Sequence, residues 1–249
     1  MRFRLVHHDL IDSTSERAFA ALQAGAARHG DVHVARGQSA GRGRRGRSWY
    51  SAQGEGLYMS LVLLPPPPPT SPAALTLAAA LGLLDGLRAL GLRDAILKWP
   101  NDLTVGGAKL AGCLVESRGL DPLQPHYVLG IGANVTQRGF PAGLTAERAA
   151  TSLALCGLAA TVGDVLAAIL DALPARLAQA RDDDQRLTED FQTASGLRGA
   201  SVAVEAGAHR HVGTVHELGF ERGLVLTGPD GELQSVALEH IASLEIRGE

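Results

Sequence analysis

Gly41-Arg42-Gly43-Arg44-Arg45-Gly46-Arg47 packs four arginines and three glycines into seven residues. Glycine lets backbone approach a ligand closely, and the guanidinium fork matches the oxygens of a phosphate or a carboxylate. Trp49, two residues on, offers an aromatic face for a base. The chain carries a net charge of −3, so without these four arginines the balance is −7 and the segment is a cationic island. These residues predict a mobile anion-binding loop beside a stacking wall. Gly41, Gly43 and Gly46 also fit the dinucleotide pattern GxGxxG. That fingerprint requires a helix to begin here, and 48–56, with Gly54 and Gly56, does not read as one. On this segment alone an RNA-binding arginine tract and a merely solvated charged loop stay open.

Three further segments could carry chemistry. Lys98-Trp99-Pro100-Asn101-Asp102-Leu103 ends a strand in a lysine and sets an amide and a carboxylate on a turn. The Asp102 carboxylate could hold Mg²⁺ beside a polyphosphate; the alternative is a plain Pro-Asn-Asp turn. Lys109-Leu110-Ala111-Gly112 opens a strand with a lysine next to small residues, suited to an anion or simply to the surface. Gly130-Ile131-Gly132-Ala133-Asn134-Val135 could bring backbone and an amide close to a ligand, or could be a tight strand exit. The nine histidines show no metal-ligand spacing, there is no Walker A sequence and no GxSxG, and no cysteine is paired locally with a histidine.

The elements that must position these residues follow from composition and periodicity. The chain has 249 residues, 45% hydrophobic and 20% charged, with a pI near 6.3. That is ordinary globular composition, enough for a full core, and it argues against a generally basic nucleic-acid binder. Two cysteines far apart, Cys113 and Cys156, fit a reducing cytosol without a structural zinc. The first residues lack an apolar signal region, and the longest apolar stretch, 73–84, is too short for a bilayer. A cytosolic chain would leave the Asn134-Val135-Thr136 sequon unmodified.

Strands are expected at 2–6, 32–35 and 57–64, and a capped helix runs from Ser13-Thr14-Ser15-Glu16 to Ala24, where Ser13 and Glu16 match a capping box. A long functional loop covers 37–56. Prolines 65–69 read as a polyproline connector, and 73–90 as a buried helix stopped by Gly91. Short strands follow at 95–98, 103–105, 109–116 and 127–131, with Gly106-Gly107 as a hairpin turn. Helices are expected at 146–156, 163–181 and 185–195. From 201 the texture changes to five short strands, 201–205, 210–217, 223–227, 233–238 and 241–246, suggesting a small closed barrel. The expected division is 1–196 and 197–249.

In combination these segments resemble the biotin protein ligases (biotin–[acetyl-CoA-carboxylase] ligases). The matching stretches are Asp12-Ser13-Thr14-Ser15, Gln38-Ser39-Ala40 with the 41–47 run and Ser48-Trp49, then 98–103, 109–112 and 130–134, in the family's order. The resemblance implies an α/β catalytic domain with a mixed sheet, of the biotin/lipoate ligase type, plus a C-terminal SH3-like β-barrel. It implies that ATP and biotin form biotinyl-5′-AMP, with Mg²⁺, and that the biotinyl group passes to one lysine of a biotin carboxyl carrier protein. Ser13, Thr14, Ser15 and Gln38 would hold biotin's head group. Arg42, Gly43 and Arg44 would form the loop over biotin and the acyl phosphate, with Gly112 also on the biotin side. Lys109 and Arg44 would stabilise developing charge. Trp49 would pack on adenine, with Arg47, Lys98, Asn101 and Asn134 toward the nucleotide and Asp102 toward Mg²⁺. Ser15 stands where the family usually has asparagine. The chain starts at the catalytic strand, without the helix-turn-helix of the repressor members, so neither DNA binding nor a membrane role is expected; a homodimer remains open, and the location expected is cytoplasmic. The rivals are a lipoate or octanoyl ligase or transferase of the same fold, and an RNA-binding module.

Overall fold

The computed structural model describes residues 1–64, 71–118, 126–147, 149–182, 185–220 and 222–247. The expected proline connector at 65–69 lies outside them. Seven strands form the first sheet: β1 (Arg4–Ile11), β2 (Asp31–Gln38), β3 (Gly56–Leu63), β4 (Ala95–Lys98), β5 (Asp102–Val105), β6 (Ala108–Glu116) and β7 (Tyr127–Asn134). Their order is β1-β2-β3-β7-β6-β5-β4. Only β1 and β2 pair in parallel, joined by a crossover through helix α1 (Thr14–Gln23), so the sheet is mixed. Gly106 and Gly107 take positive φ, as a two-residue turn between β5 and β6 demands.

β3 is buried along its whole length, which is why it reads as an unbroken apolar run. Leu57, Met59 and Leu61 join the main core under α2 (Pro72–Ala89), α4 (Val162–Arg181) and α5 (Gln185–Ser195). Val62 points the other way and joins Val128, Ala18 and Phe19 under α1. Each such side chain contributes about 1.5–3 kcal/mol by leaving water. The sheet therefore has a thick helical layer on one face and a single short helix on the other. α2 is, among the described residues, the one helix long and apolar enough to cross a membrane. It extends the apolar stretch beyond the expected limit, and 67% of it is buried inside the fold, as befits a central core helix.

Two local expectations need correction. Ser13 does cap α1, its hydroxyl accepting from the Ser15 amide at 3.2 Å. Glu16 does not close a capping box, because the Ser13 amide donates to Asp12 at 2.7 Å and Glu16 is drawn away by arginines. The helix expected at 146–156 is absent. α3 (Ala142–Glu147) is short, and the chain then runs beside Lys109, with the Lys109 amide donating to the Ala149 carbonyl at 2.8 Å and Thr151 returning to Lys109 at 2.9 Å. Backbone pairing with an existing strand overrides the local helical spacing.

The second sheet is antiparallel: β8 (Ser201–Ala206), β9 (His209–Gly219), β10 (Gly223–Thr227), β11 (Leu233–Val236) and β12 (Ile241–Ile246), in the order β11-β10-β9-β8-β12. β11 and β12 are opposite edges, yet only a 3₁₀ turn at Leu238–His240 separates them. Five Cα steps reach at most about 18 Å, and less through a 3₁₀ turn. Four strand spacings of a flat sheet span about 19 Å. The sheet must therefore curl until its edges approach, which is the barrel-like form expected.

Candidate active site

The site begins where α1 stops covering the sheet. Along that face β3 and β7 pass from Val62 and Val128, beneath α1, to Ser60 opposite Gly130 and then Tyr58 opposite Gly132. Gly132 in turn faces Gly112 on β6. On β7 and β6 the floor thus loses its side chains, and a cleft of about 890 Å³ opens above it.

At one end the groups are neutral. Ser13, Thr14 and Ser15 are buried at the α1 N-terminus. The Thr14 amide and hydroxyl donate to Gln38 Oε1 at 2.8 and 3.1 Å. The Thr14 hydroxyl also lies 2.8 Å from Ser60 Oγ, which lies 3.1 Å from Ser15 Oγ. Gln38 Nε2 donates to Ser51 Oγ at 2.9 Å, and Ser51 donates to the Trp49 carbonyl at 3.2 Å.

The middle is cationic. Lys109 Nζ lies 2.7 Å from Asp102 Oδ1 and 5.1 Å from the Trp49 ring centroid. The indole rests on Gly132: a methyl group there would sit 2.5 Å from Trp49 Cε2. Gly112 is tight as well, with a methyl 3.0 Å from Asp102 Oδ1 and 3.3 Å from Lys109 Nζ. Asn101 braces this wall by donating to the Cys113 carbonyl at 2.6 Å. Burial pushes the Cys113 thiol up to about 12, which removes it as a nucleophile at neutral pH.

The Gly/Arg loop closes as a hairpin. Its base closes through an Arg42–Ser48 bridge and the Trp49 amide donating to Gly41 at 2.9 Å; its tip closes through Gly43 donating to Arg47 at 2.7 Å. Arg45 takes φ of 57° at the tip. Arg44 is half-buried, reaches Asn101 Oδ1 at 3.4 Å, and has its guanidinium pKa lowered by burial, with Arg45 adding to it. Arg47 and Lys98 are exposed at the rim.

Every residue to which the resemblance gave a binding or catalytic role lines this cleft. Two of them have polar groups committed elsewhere. Arg42 pairs with Glu16 and, at 2.7 Å, with Glu116; Arg118 joins both carboxylates and lies 4.1 Å from the Phe19 ring centroid. Hydrogen bonds from Arg118, then the charge of both arginines, hold Glu16 at about 2. Asn134 Nδ2 donates to the Thr151 carbonyl at 2.8 Å and so ties β7 to the segment beside Lys109. Sequence reading missed Leu144, Ala149, Ala150 and the β12 residues Ala242, Ser243, Leu244 and Glu245, which line the cleft, and Ser60, Ser51 and the Glu16–Glu116–Arg118 cluster, which bond to residues that line it. None belongs to a motif, and their partners are remote in the chain; burial of a serine in an otherwise apolar strand was the one available signal, at Ser60.

The model of the biotin/lipoate A/B protein ligase family matches residues 8–134. The biotin--[acetyl-CoA-carboxylase] ligase of Mycobacterium tuberculosis is 36% identical over 220 residues, 86% of this chain and 79% of that protein. The bifunctional ligase/repressor BirA of Bacillus subtilis is 38% identical over 134 residues, and the match spans 41% of that protein's length. Among solved structures, the biotin protein ligase from Aquifex aeolicus in complex with biotin and ATP superposes with a TM-score of 0.80 at 26% identity, covering 98% of this chain and 99% of that one.

Proposed function

Because the chain belongs to the biotin/lipoate A/B protein ligase family, we propose that it is an ATP-dependent biotin protein ligase. In this reading it joins biotin to ATP, forming biotinyl-5′-AMP and pyrophosphate, and then biotinylates a lysine of a carboxylase carrier domain in the cytoplasm. One observation carries the reading: a single cleft joins a neutral hydroxyl and amide end to a cationic middle capped by a Gly/Arg hairpin. A cyclic urea needs the first, and an acyl phosphate needs the second.

The first reaction brings two anions together. The biotin carboxylate attacks the α-phosphorus of ATP, and the bond to pyrophosphate breaks. Lys109 sits where the carboxylate and α-phosphate would meet, and its ammonium offsets their repulsion and the charge growing on the phosphoryl oxygens. Arg44 reaches the same space from the hairpin, and Arg47 and Lys98 at the rim suit the outer phosphates. Trp49 supplies the adenine wall, held flat by Gly132. In the second reaction the carrier's lysine amine attacks the acyl carbon and AMP leaves. The hairpin tip at 43–47 shields the anhydride from water until then.

Asp102 serves Lys109 in this scheme. Its Oδ1 already faces an ammonium at 2.7 Å, and no group of three or more His, Cys, Asp or Glu side chains fit for a metal occurs among the described residues. The donor set does not suit a protein-held ion, so Mg²⁺ is assigned to the ATP complex as substrate. Residues 1–196 carry the chemistry, and the smaller 197–249 unit lends β12 to the cleft wall.

Exchange of labelled pyrophosphate into ATP tests the reading. Biotin should support exchange and lipoate should not. Exchange with lipoate alone would make the chain a lipoate ligase, and none with either acid would overturn the proposal.

A further inference from the structure

Resting on that reading, we infer that Ser60 is a positioning residue that holds the Thr14 and Ser15 hydroxyls of the biotin head-group end in place. Ser60 is fully buried at the centre of β3 and joins two hydroxyls of the α1 N-terminus.

The direction of the chain follows from counting protons. A backbone amide can only donate, and the Thr14 amide donates to Gln38 Oε1. That oxygen accepts only, so the Thr14 hydroxyl bonded to it must spend its single proton there. Towards Ser60, Thr14 Oγ1 is therefore an acceptor, and Ser60 donates to it. Ser60 has then spent its own proton, so Ser15 donates to Ser60. The far end is fixed in the same way: the Trp49 carbonyl can only accept, so Ser51 donates to it and accepts from Gln38 Nε2. The relay runs Ser15 to Ser60 to Thr14 to Gln38 to Ser51 to the Trp49 carbonyl, with one direction only.

This polarity has a consequence for recognition. Thr14 can offer a ligand only a lone pair, and Gln38 can offer only its second amide hydrogen. The pair thus selects a ligand that presents a donor N–H beside an acceptor oxygen, as a ureido ring does, and discriminates against groups with the opposite arrangement. Ser15, replacing the family's usual asparagine, supplies the proton that starts the relay. Without Ser60, Ser15 loses its acceptor and Thr14 loses the donor that orients it.

Steady-state adenylation by the full chain, with biotin and ATP varied separately, tests the inference. Ser60→Ala should raise the KM for biotin about tenfold, the scale of one buried hydrogen bond, while the KM for ATP and kcat stay within about twofold. Ser60→Cys, which keeps a weak donor of similar shape, should recover part of the loss, and it stands in if the alanine variant fails to fold. An unchanged biotin KM in a folded variant, or equal shifts in both KM values, would overturn the positioning role while leaving the ligase reading intact. A parent enzyme that forms no biotinyl adenylate would overturn both.

Discussion

The two ends of the cleft are held by different physics. The head-group end is neutral and buried: each hydroxyl in the Ser15–Ser60–Thr14 relay has a protein partner, and little can move without orphaning a polar group. The hairpin end is charged and partly exposed: Arg42 is pinned by two carboxylates, whereas Arg44 makes, among the described residues, a long bond to Asn101 and Arg47 is exposed. One end is held by a continuous run of buried hydrogen bonds, and the other by ion pairs at its base and a backbone bond from Gly43 to Arg47 at its tip. In the proposed reading, recognition belongs to the first and retention of the intermediate to the second.

The contrast can be broken at several points. The largest effect belongs between the two ends. Lys109→Ala should slow adenylate formation by about 2–4 kcal/mol in barrier, roughly 30- to 1000-fold, measured in single turnover. An unaltered rate would reduce Lys109 to a structural partner of Asp102. Next, Gly132→Val should drive Trp49 off the floor and weaken ATP at least tenfold, with biotin affinity much less affected; calorimetric titration of each ligand would reveal whether the loss is shared. At the hairpin tip, Arg44→Gly should quicken escape of the adenylate by about tenfold and label unrelated lysines, with biotin KM preserved. Retention of the intermediate as long as in the parent would show that the tip is no lid.

The smallest effect is the pH response of the hairpin base. Glu16 ordinarily titrates near 4.5 and is held at about 2 by Arg118 and Arg42. A lowered carboxyl pKa stabilises the folded form fully above about 4.5, and that stabilisation fades as pH falls towards about 2. Protease cleavage within 41–47 should therefore be flat across neutral and mildly acidic pH and rise only below about 4.5. In Glu16→Gln, cleavage should already be raised a few-fold at pH 7 and lose that acid dependence.

Much of this was legible in the sequence, for identifiable reasons. The five C-terminal strands and the glycine hairpin at 106–107 announce themselves by short-range turn chemistry. Lys109, Asp102 and Trp49 stand in motifs whose residue types suit phosphate chemistry. The failures share a cause: pairing across long stretches of chain. Arg42 meets Glu116 across 74 residues, a tie between the hairpin base and β6 that no local pattern announces. The 146–156 segment has helical spacing, but β6 offers it backbone partners at Lys109. Ser60 carries no motif at all; only its neighbours in space make it matter. β1 extends to Ile11 because β2 pairs with it, although His7, His8 and Asp9 interrupt the apolar alternation.

The molecule has only two tryptophans, and both border the cleft. Trp49 lies on Gly132 beneath an ammonium, and Trp99 meets Phe191 edge-on at 5.8 Å. Ultraviolet emission from this protein is consequently a local gauge rather than an average over the whole. Occupancy of the adenine wall should quench or recolour one emitter while the other serves as a neighbouring reference, so loading and discharge can be followed in real time without a dye or a label.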